Sequence, residues 1–214
     1  MSLDLVKDLR EKTGAGLLDC QKALGEADGN FDRALRLLRE KGLAKAAKKA
    51  GRAATDGAIG SYIHPGSKIG VLIEVNCETD FVAKTDEFQQ LVRDLAMQVA
   101  AASPRWVARE EVPGAELASE REIYRAQALQ QGKPEKVVDR IVEGQVERFY
   151  KDTCLLEQPF VKQNDRMVGD LIKEAIVRFG VNVAVRRFAR FQLGETTGRE
   201  ADHKESAAGG SGGA

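Results

Sequence analysis

The chain has 214 residues, of which 33 are Lys or Arg and 33 are Asp or Glu, with 43% apolar and 31% charged side chains. Zero formal net charge argues against bulk, charge-driven nucleic-acid binding, which requires many phosphates to be neutralised by Lys and Arg, and leaves room only for a local basic patch. The length allows one or two domains with a sizeable core.

Residues 4–42 read as three short helices. Leu5, Val6 and Leu9 form one apolar stripe, and Thr13-Gly14-Ala15-Gly16 breaks it. Leu17 and Leu18 open the second helix, and Ala23-Leu24 line it. After Asp28-Gly29-Asn30, the residues Phe31, Ala34, Leu35 and Leu38 line the third. Asn30 or Asp32 can cap its start, and Gly42 is expected to stop it. Residues 43–56 are rich in Ala, Lys and Arg and read as a basic, semi-rigid helical linker.

From Gly57 the period changes to that of strands. Residues 58–63 and 69–75 flank the turn His64-Pro65-Gly66-Ser67 and form a predicted hairpin. Thr85 or Asp86 caps a helix with core face Phe88, Leu91, Val92, Leu95 and Val99, ended by Ser103-Pro104. Residues 116–153 read as a helical hairpin divided at Lys133-Pro134. Asp165 is expected to open a helix through Leu171, Ile172, Ala175, Ile176 and Phe179, which Gly180 stops. Val181, Val183, Val185, Ala189 and Phe191 then alternate with mostly polar residues, as in one long strand with two unlike faces. Residues 194–214 read as a disordered tail, so the expected division is 1–42, 43–56, a core of 57–193, and the tail.

Few residues suggest covalent chemistry. Cys20, Cys77 and Cys154 are far apart and form no CxxC, so they read as small buried thiols in a reducing compartment. His64 and His203 have no Cys or His neighbour at metal spacing. Gly14-Ala15-Gly16 follows a helix rather than a strand and lacks the third glycine of a dinucleotide motif. Gly66-Ser67-Lys68 suits a tight turn better than a phosphate loop. No catalytic residue, metal or cofactor is therefore expected. No signal core, transit segment or run of about 20 apolar residues is present, so a cytoplasmic location without membrane contact is expected.

Three features carry alternatives. Lys45–Arg52 is a solvated helix face or an RNA contact. Arg186, Arg187 and Arg190 are edge charges that deter aggregation or acid-binding contacts for a partner. Asp80-Phe81 is a helix-entry acid beside a core ring, or an exposed acid and wedge; position alone leaves both open.

Two stretches change that balance. Leu9-Arg10-Glu11-Lys12-Thr13-Gly14-Ala15-Gly16-Leu17-Leu18-Asp19, continuing to Lys22-Ala23-Leu24, and Glu74-Val75-Asn76-Cys77-Glu78-Thr79-Asp80-Phe81-Val82-Ala83-Lys84 together resemble translation elongation factor Ts, the guanine-nucleotide exchange factor of elongation factor Tu. Lys45-Ala46-Ala47-Lys48-Lys49-Ala50 resembles the family's linker, and the similarity runs from about residue 3 to Leu193. Gln21 stands where the family usually has a basic residue, and Leu17-Leu18 replaces the commoner Met pair.

The resemblance implies an α+β fold: a three-helix, ubiquitin-associated-like bundle, then antiparallel strands packed with helices and a helical hairpin. It implies elongation factor Tu as partner and exchange without bond chemistry, so no enzyme activity in the strict sense. Asp80 and Phe81 would intrude near the nucleotide's magnesium site, while Arg10, Leu17 and Leu18 dock the N-terminal bundle. The chain is similar to compact members with one core copy, which implies a homodimer. Its last strand has no cysteine, so that dimer would be non-covalent. Two other readings stand beside this one: a ubiquitin-associated-like binding module using Leu17-Leu18, without exchange activity, and an RNA-associated protein using Lys45–Arg52 and the late arginines.

Overall fold

The computed structural model describes residues 3–195. Three helices come first: α1 (Leu3–Thr13), α2 (Leu17–Glu26) and α3 (Phe31–Lys49). Their shared core is Val6, Leu9, Cys20, Ala23, Leu24, Ala27, Ala34 and Leu38. Asn30 caps α3 by accepting from the Arg33 backbone N–H at 2.9 Å. Lys41–Glu26 (2.7 Å) and Lys45–Asp19 (2.9 Å) pairs run from α3 to α2.

The third helix does not stop at Gly42, as the sequence predicts, but continues to Lys49. Gly42 is buried against α8 (Val168–Phe179), where a Cβ would lie 3.3 Å from Val177 Cγ2. Close helix packing there outweighs the roughly 1 kcal/mol that glycine costs inside a helix. One helix therefore crosses residue 42, with Ala34 and Leu38 in the bundle core and Ala46 in the main core.

The main core is a three-stranded antiparallel sheet backed by helices. Its strands are β1 (Asp56–Ile63), β2 (Ile69–Cys77) and β5 (Val183–Gln192), in the order β1-β2-β5. The inner face carries Val71, Ile73, Val75, Cys77, Val183 and Val185. These pack with Phe88, Val92, Leu95 and Val99 of α5 (Asp86–Ala102) and with α8. Thr85 caps α5, Ser103 ends it in the left-handed conformation, and Gly180 ends α8 likewise at φ 72°.

Gly57 has φ 145°, and a Cβ there would sit 2.2 Å from the Val75 carbonyl oxygen. Gly57→Ala is expected to destabilise the chain by at least about 2 kcal/mol, read as a lower urea midpoint at unchanged slope.

The last strand departs from its predicted pattern. A register shift pairs Glu74 with Arg187 but Val75 with Val185, leaving Arg186 as the extra residue. One inserted residue reverses side-chain parity. Val183 and Val185 face inward, whereas Phe191 beyond the bulge is 66% exposed. Phe188 and Arg190 take the inward positions; Phe188 packs on the core, and Arg190 Nε donates to the Ala100 carbonyl at 3.4 Å. Arg190 is thus no solvent-facing edge charge.

The hairpin of α6 (Gly114–Gln130) and α7 (Glu135–Thr153) has its own small core of Ala128, Val138, Val142 and Val146. It is tied to the main core where Leu155 N–H donates to the Trp106 carbonyl at 2.9 Å and Arg105 N–H to the Thr153 carbonyl at 2.8 Å. Asp165 does not open a helix. It lies in β4 (Gln163–Met167), which pairs with β3 (Pro159–Phe160), and α8 begins only at Val168. The buried Phe160 anchors this short hairpin, while β4 is polar and has no apolar alternation to announce it. All three cysteines are buried, and burial pushes each thiol up from its ordinary pKa. His203 and most of the expected tail lie outside the described residues.

Candidate functional site

The end of β2 leads into α4, a single helical turn over Asp80–Ala83. Thr79 caps it: its Oγ1 accepts from the Val82 backbone N–H at 3.4 Å. The Cys77 thiol donates to the Thr79 carbonyl at 3.1 Å. On the far side, Thr85 Oγ1 donates to the Val82 carbonyl at 2.8 Å while accepting from the Phe88 N–H at 3.2 Å. Gln89 Nε2 donates to the Ala83 carbonyl at 2.7 Å. Ala83 is buried, and Val82 packs on the main core. The turn is therefore fixed from three sides.

Phe81 points out of this turn and is 81% exposed. No other large apolar side chain among the described residues is as exposed. An isolated apolar ring in water gains nothing from its position in the free chain. The core-ring alternative for Phe81 is excluded by this exposure.

Asp80 sits beside it and accepts from Lys84 Nζ at 2.7 Å. That hydrogen bond, with the Lys84 charge, holds the Asp80 carboxyl below the usual carboxylate range. A depressed folded-state pKa means that the pair's favourable interaction is present at neutral pH and fades only as acid protonates Asp80. Function depending on an ionised Asp80 should therefore be flat from about pH 6 to 8 with respect to this group. An NMR titration of its carboxyl carbon checks this, with a midpoint below that of an unfolded peptide as the expected result.

Arg10, Leu17 and Leu18 lie on the bundle instead. Arg10 is exposed in the last turn of α1. Thr13 Oγ1 donates to the Leu9 carbonyl at 2.6 Å and accepts from the Ala15 N–H at 3.2 Å, which closes the turn. Gly14 supplies the required positive φ of 65°. Leu17 and Leu18 follow in the first turn of α2 and are 46% and 69% exposed, while Cys20, Ala23 and Leu24 fill its buried side. The structure thus brings Arg10, Leu17 and Leu18 onto one small module and Asp80 with Phe81 onto another surface element. No hydrogen bond or ion pair joins the two groups among the described residues.

The basic segment is partly engaged within the chain. Lys45 pairs with Asp19, Lys49 Nζ donates to the Gly180 carbonyl, and Arg52 lies 3.7 Å from Glu78. Among the late arginines, Arg187 pairs with Glu74 at 2.7 Å across the sheet.

A further surface was not predicted. The outer face of the sheet carries Ile59 (72% exposed), Ile63, Leu72 and Phe191, with Leu193 just beyond the strand. Register places Ile63, Gly70 and Phe191 in one row, and Ser61, Leu72 and Ala189 in the next. The unbroken apolar run Val71-Leu72-Ile73 was the available signal, because strands apolar on both sides are usually covered on both sides.

The three-helix bundle, the antiparallel sheet backed by helices and the helical hairpin form the α+β architecture that the sequence resemblance implies for a translation elongation factor. Comparison with known proteins agrees. The sequence model of the elongation factor Ts family matches residues 38–195. Elongation factor Ts of Moorella thermoacetica is 60% identical over 190 residues, covering 89% of this chain and 94% of the relative. Elongation factor Ts of Thermoanaerobacter pseudethanolicus is 57% identical over 195 residues, covering 91% and 96%. That of Carboxydothermus hydrogenoformans is 59% identical over 191 residues, covering 89% and 88%. The chain belongs to the elongation factor Ts family.

Among the described residues no helix is long and apolar enough to cross a membrane.

Proposed function

We propose that this protein binds elongation factor Tu carrying GDP and promotes release of the nucleotide, working in the cytoplasm during translation elongation. The observation that carries this reading is the exposed Phe81 on a turn held from three sides, within the family's motif from Glu74 to Lys84. Phe81 wedges between helices of the partner's GTPase domain, and Asp80 acts beside it near the nucleotide's magnesium site. Arg10, Leu17 and Leu18 dock the N-terminal bundle, residues 1–42, on the same domain. Residues 43–56 connect that bundle to the core of residues 57–193.

The mechanism is linkage rather than bond chemistry. A GTPase holds GDP through backbone donors and a bridging Mg²⁺, and nanomolar binding corresponds to about 12 kcal/mol. The factor need not touch the nucleotide; it must bind the nucleotide-free partner more tightly than the loaded one. A Phe ring buried only in the distorted partner contributes roughly 1.5–3 kcal/mol to that difference. Nucleotide must then weaken the factor by the same ratio that the factor weakens nucleotide.

Calorimetric titration of the full chain into elongation factor Tu tests this. Affinity should be higher for the nucleotide-free partner than for the GDP-loaded one. Equal affinities would contradict exchange by linkage.

The same reading includes a non-covalent homodimer formed by the outer sheet face. Ile59, Ile63, Leu72 and Phe191 supply an apolar patch that a second copy covers, and the Glu74–Arg187 pair lies on the same face.

A further inference from the structure

The two partner-contacting groups of the proposed function sit on separate hydrophobic cores bridged by α3, whose Gly42 packs on α8 and whose Ala46 lies in the main core, so something must hold the end of α3 to set their relative placement. The turn between α8 and β5 is built to do so. Its Asn182 is 3% exposed. Both N–H donors of its side-chain amide are used, one on the Ala50 carbonyl at 3.2 Å and one on the Arg52 carbonyl at 2.7 Å. These carbonyls belong to the C-cap of α3, Ala50, and to the turn just beyond it. The opposite amide orientation would aim an oxygen at two carbonyl oxygens, so the acceptors fix it. The Asn182 backbone N–H meanwhile donates to Glu78 Oε1 at 2.5 Å. Glu78 stands two residues before Asp80, and its other oxygen lies 3.7 Å from the Arg52 guanidinium. Phe179, the last residue of α8, packs edge-on to Phe88 of α5, and the carbonyl of the next residue, Gly180, accepts from Lys49 of α3.

We propose that Asn182 and Glu78 are positioning residues for exchange: together they lock the end of α3, and with it the bundle bearing Arg10, Leu17 and Leu18, to the turn bearing Asp80 and Phe81. This rests on the exchange reading and deepens it. Two contact elements on a rigid mount bind as one. On a loose mount the second contact is made at a lower effective concentration, and part of its binding free energy goes into ordering. Loss of the joint therefore weakens association with elongation factor Tu more than it slows release from the assembled complex.

The test uses the full chain with Asn182→Ala, Glu78→Ala and Glu78→Gln, and reads GDP release from elongation factor Tu against factor concentration. Asn182→Ala and Glu78→Ala should each raise the half-saturating concentration about tenfold, with the saturated rate within about twofold of wild type. Glu78→Gln keeps an acceptor for the Asn182 N–H and should stay within about threefold. A merely structural role would lower the melting temperature and leave half-saturation per folded molecule unchanged. A second readout needs no partner. Spin labels at Lys7→Cys and Glu87→Cys, both exposed, report the bundle-to-core distance, and the native thiols are buried. Asn182→Ala should broaden that distribution. Unchanged half-saturation in both alanine variants, or an unchanged distance distribution, overturns the joint. A wild-type chain that fails to accelerate release refutes the exchange reading instead, and the distance measurement still decides the joint.

Discussion

Phe81→Ala is expected to slow factor-promoted GDP release from elongation factor Tu by roughly 10- to 100-fold, the equivalent of about 1.5–3 kcal/mol for one buried ring. The free chain should scarcely notice. Phe81 is 81% exposed, and surface substitutions of this kind change stability by no more than about 0.5 kcal/mol. Phe88 provides the control. It lies seven residues further on, fully buried, with its ring 6.0 Å from that of Phe179. Phe88→Ala should cost about 3–5 kcal/mol of folding stability. Stopped-flow release and urea denaturation on both variants separate a ring that works on a partner from one that holds the fold. Release by Phe81→Ala as fast as by wild type would remove the wedge role.

The second large effect concerns the open sheet face. Leu72 lies on the central strand, half exposed, with Ile63 and Phe191 one row away and Ile59 on the other side. Leu72→Arg should leave the monomer folded, because the substituted side chain can extend into water. In a two-fold dimer the same change occurs twice. It removes two apolar side chains, each contributing roughly 1.5–3 kcal/mol when buried, and sets two like charges in the interface. Dimer affinity should fall by at least about 100-fold. Sedimentation equilibrium at micromolar concentration should show a dimer for wild type and a monomer for Leu72→Arg. A strictly monomeric wild type would contradict the dimer.

The contrast between Phe81 and Phe88 also shows how far the sequence could be read. Residues seven apart share a face on an unbroken helix, so periodicity alone would bury both rings. Thr85 prevents this: its Oγ1 accepts from the Phe88 N–H to cap α5 while donating to the Val82 carbonyl of α4, and the chain turns between the two helices. That cap was legible because it depends on a local side chain. So were Asn30, Ser103 and Gly180, which set helix ends through a side-chain amide oxygen or their own left-handed backbone. The outward direction of Phe81 came only from the family resemblance.

Long-range contacts were harder to read. The passage of α3 through Gly42 depends on Val177, far along the chain. The bulge at Arg186 is one residue in a strand whose apolar positions keep an even spacing from Val181 to Phe191. That spacing predicts one apolar face. The bulge divides it, so Val183 and Val185 serve the core while Ala189 and Phe191 move to the outer face. The apolar patch for a second copy arises from that parity change. The Asn182 joint was invisible for the same reason, since its acceptors are about 130 positions away in sequence and become neighbours only when α3 docks on α8.

The measurement closest to the central claim is the rate at which elongation factor Tu releases a fluorescent GDP analogue as the full wild-type chain is added. The rate should rise with the chain's concentration and then saturate, with excess unlabelled GDP present throughout. A release rate that stays at its spontaneous value at every concentration would contradict it.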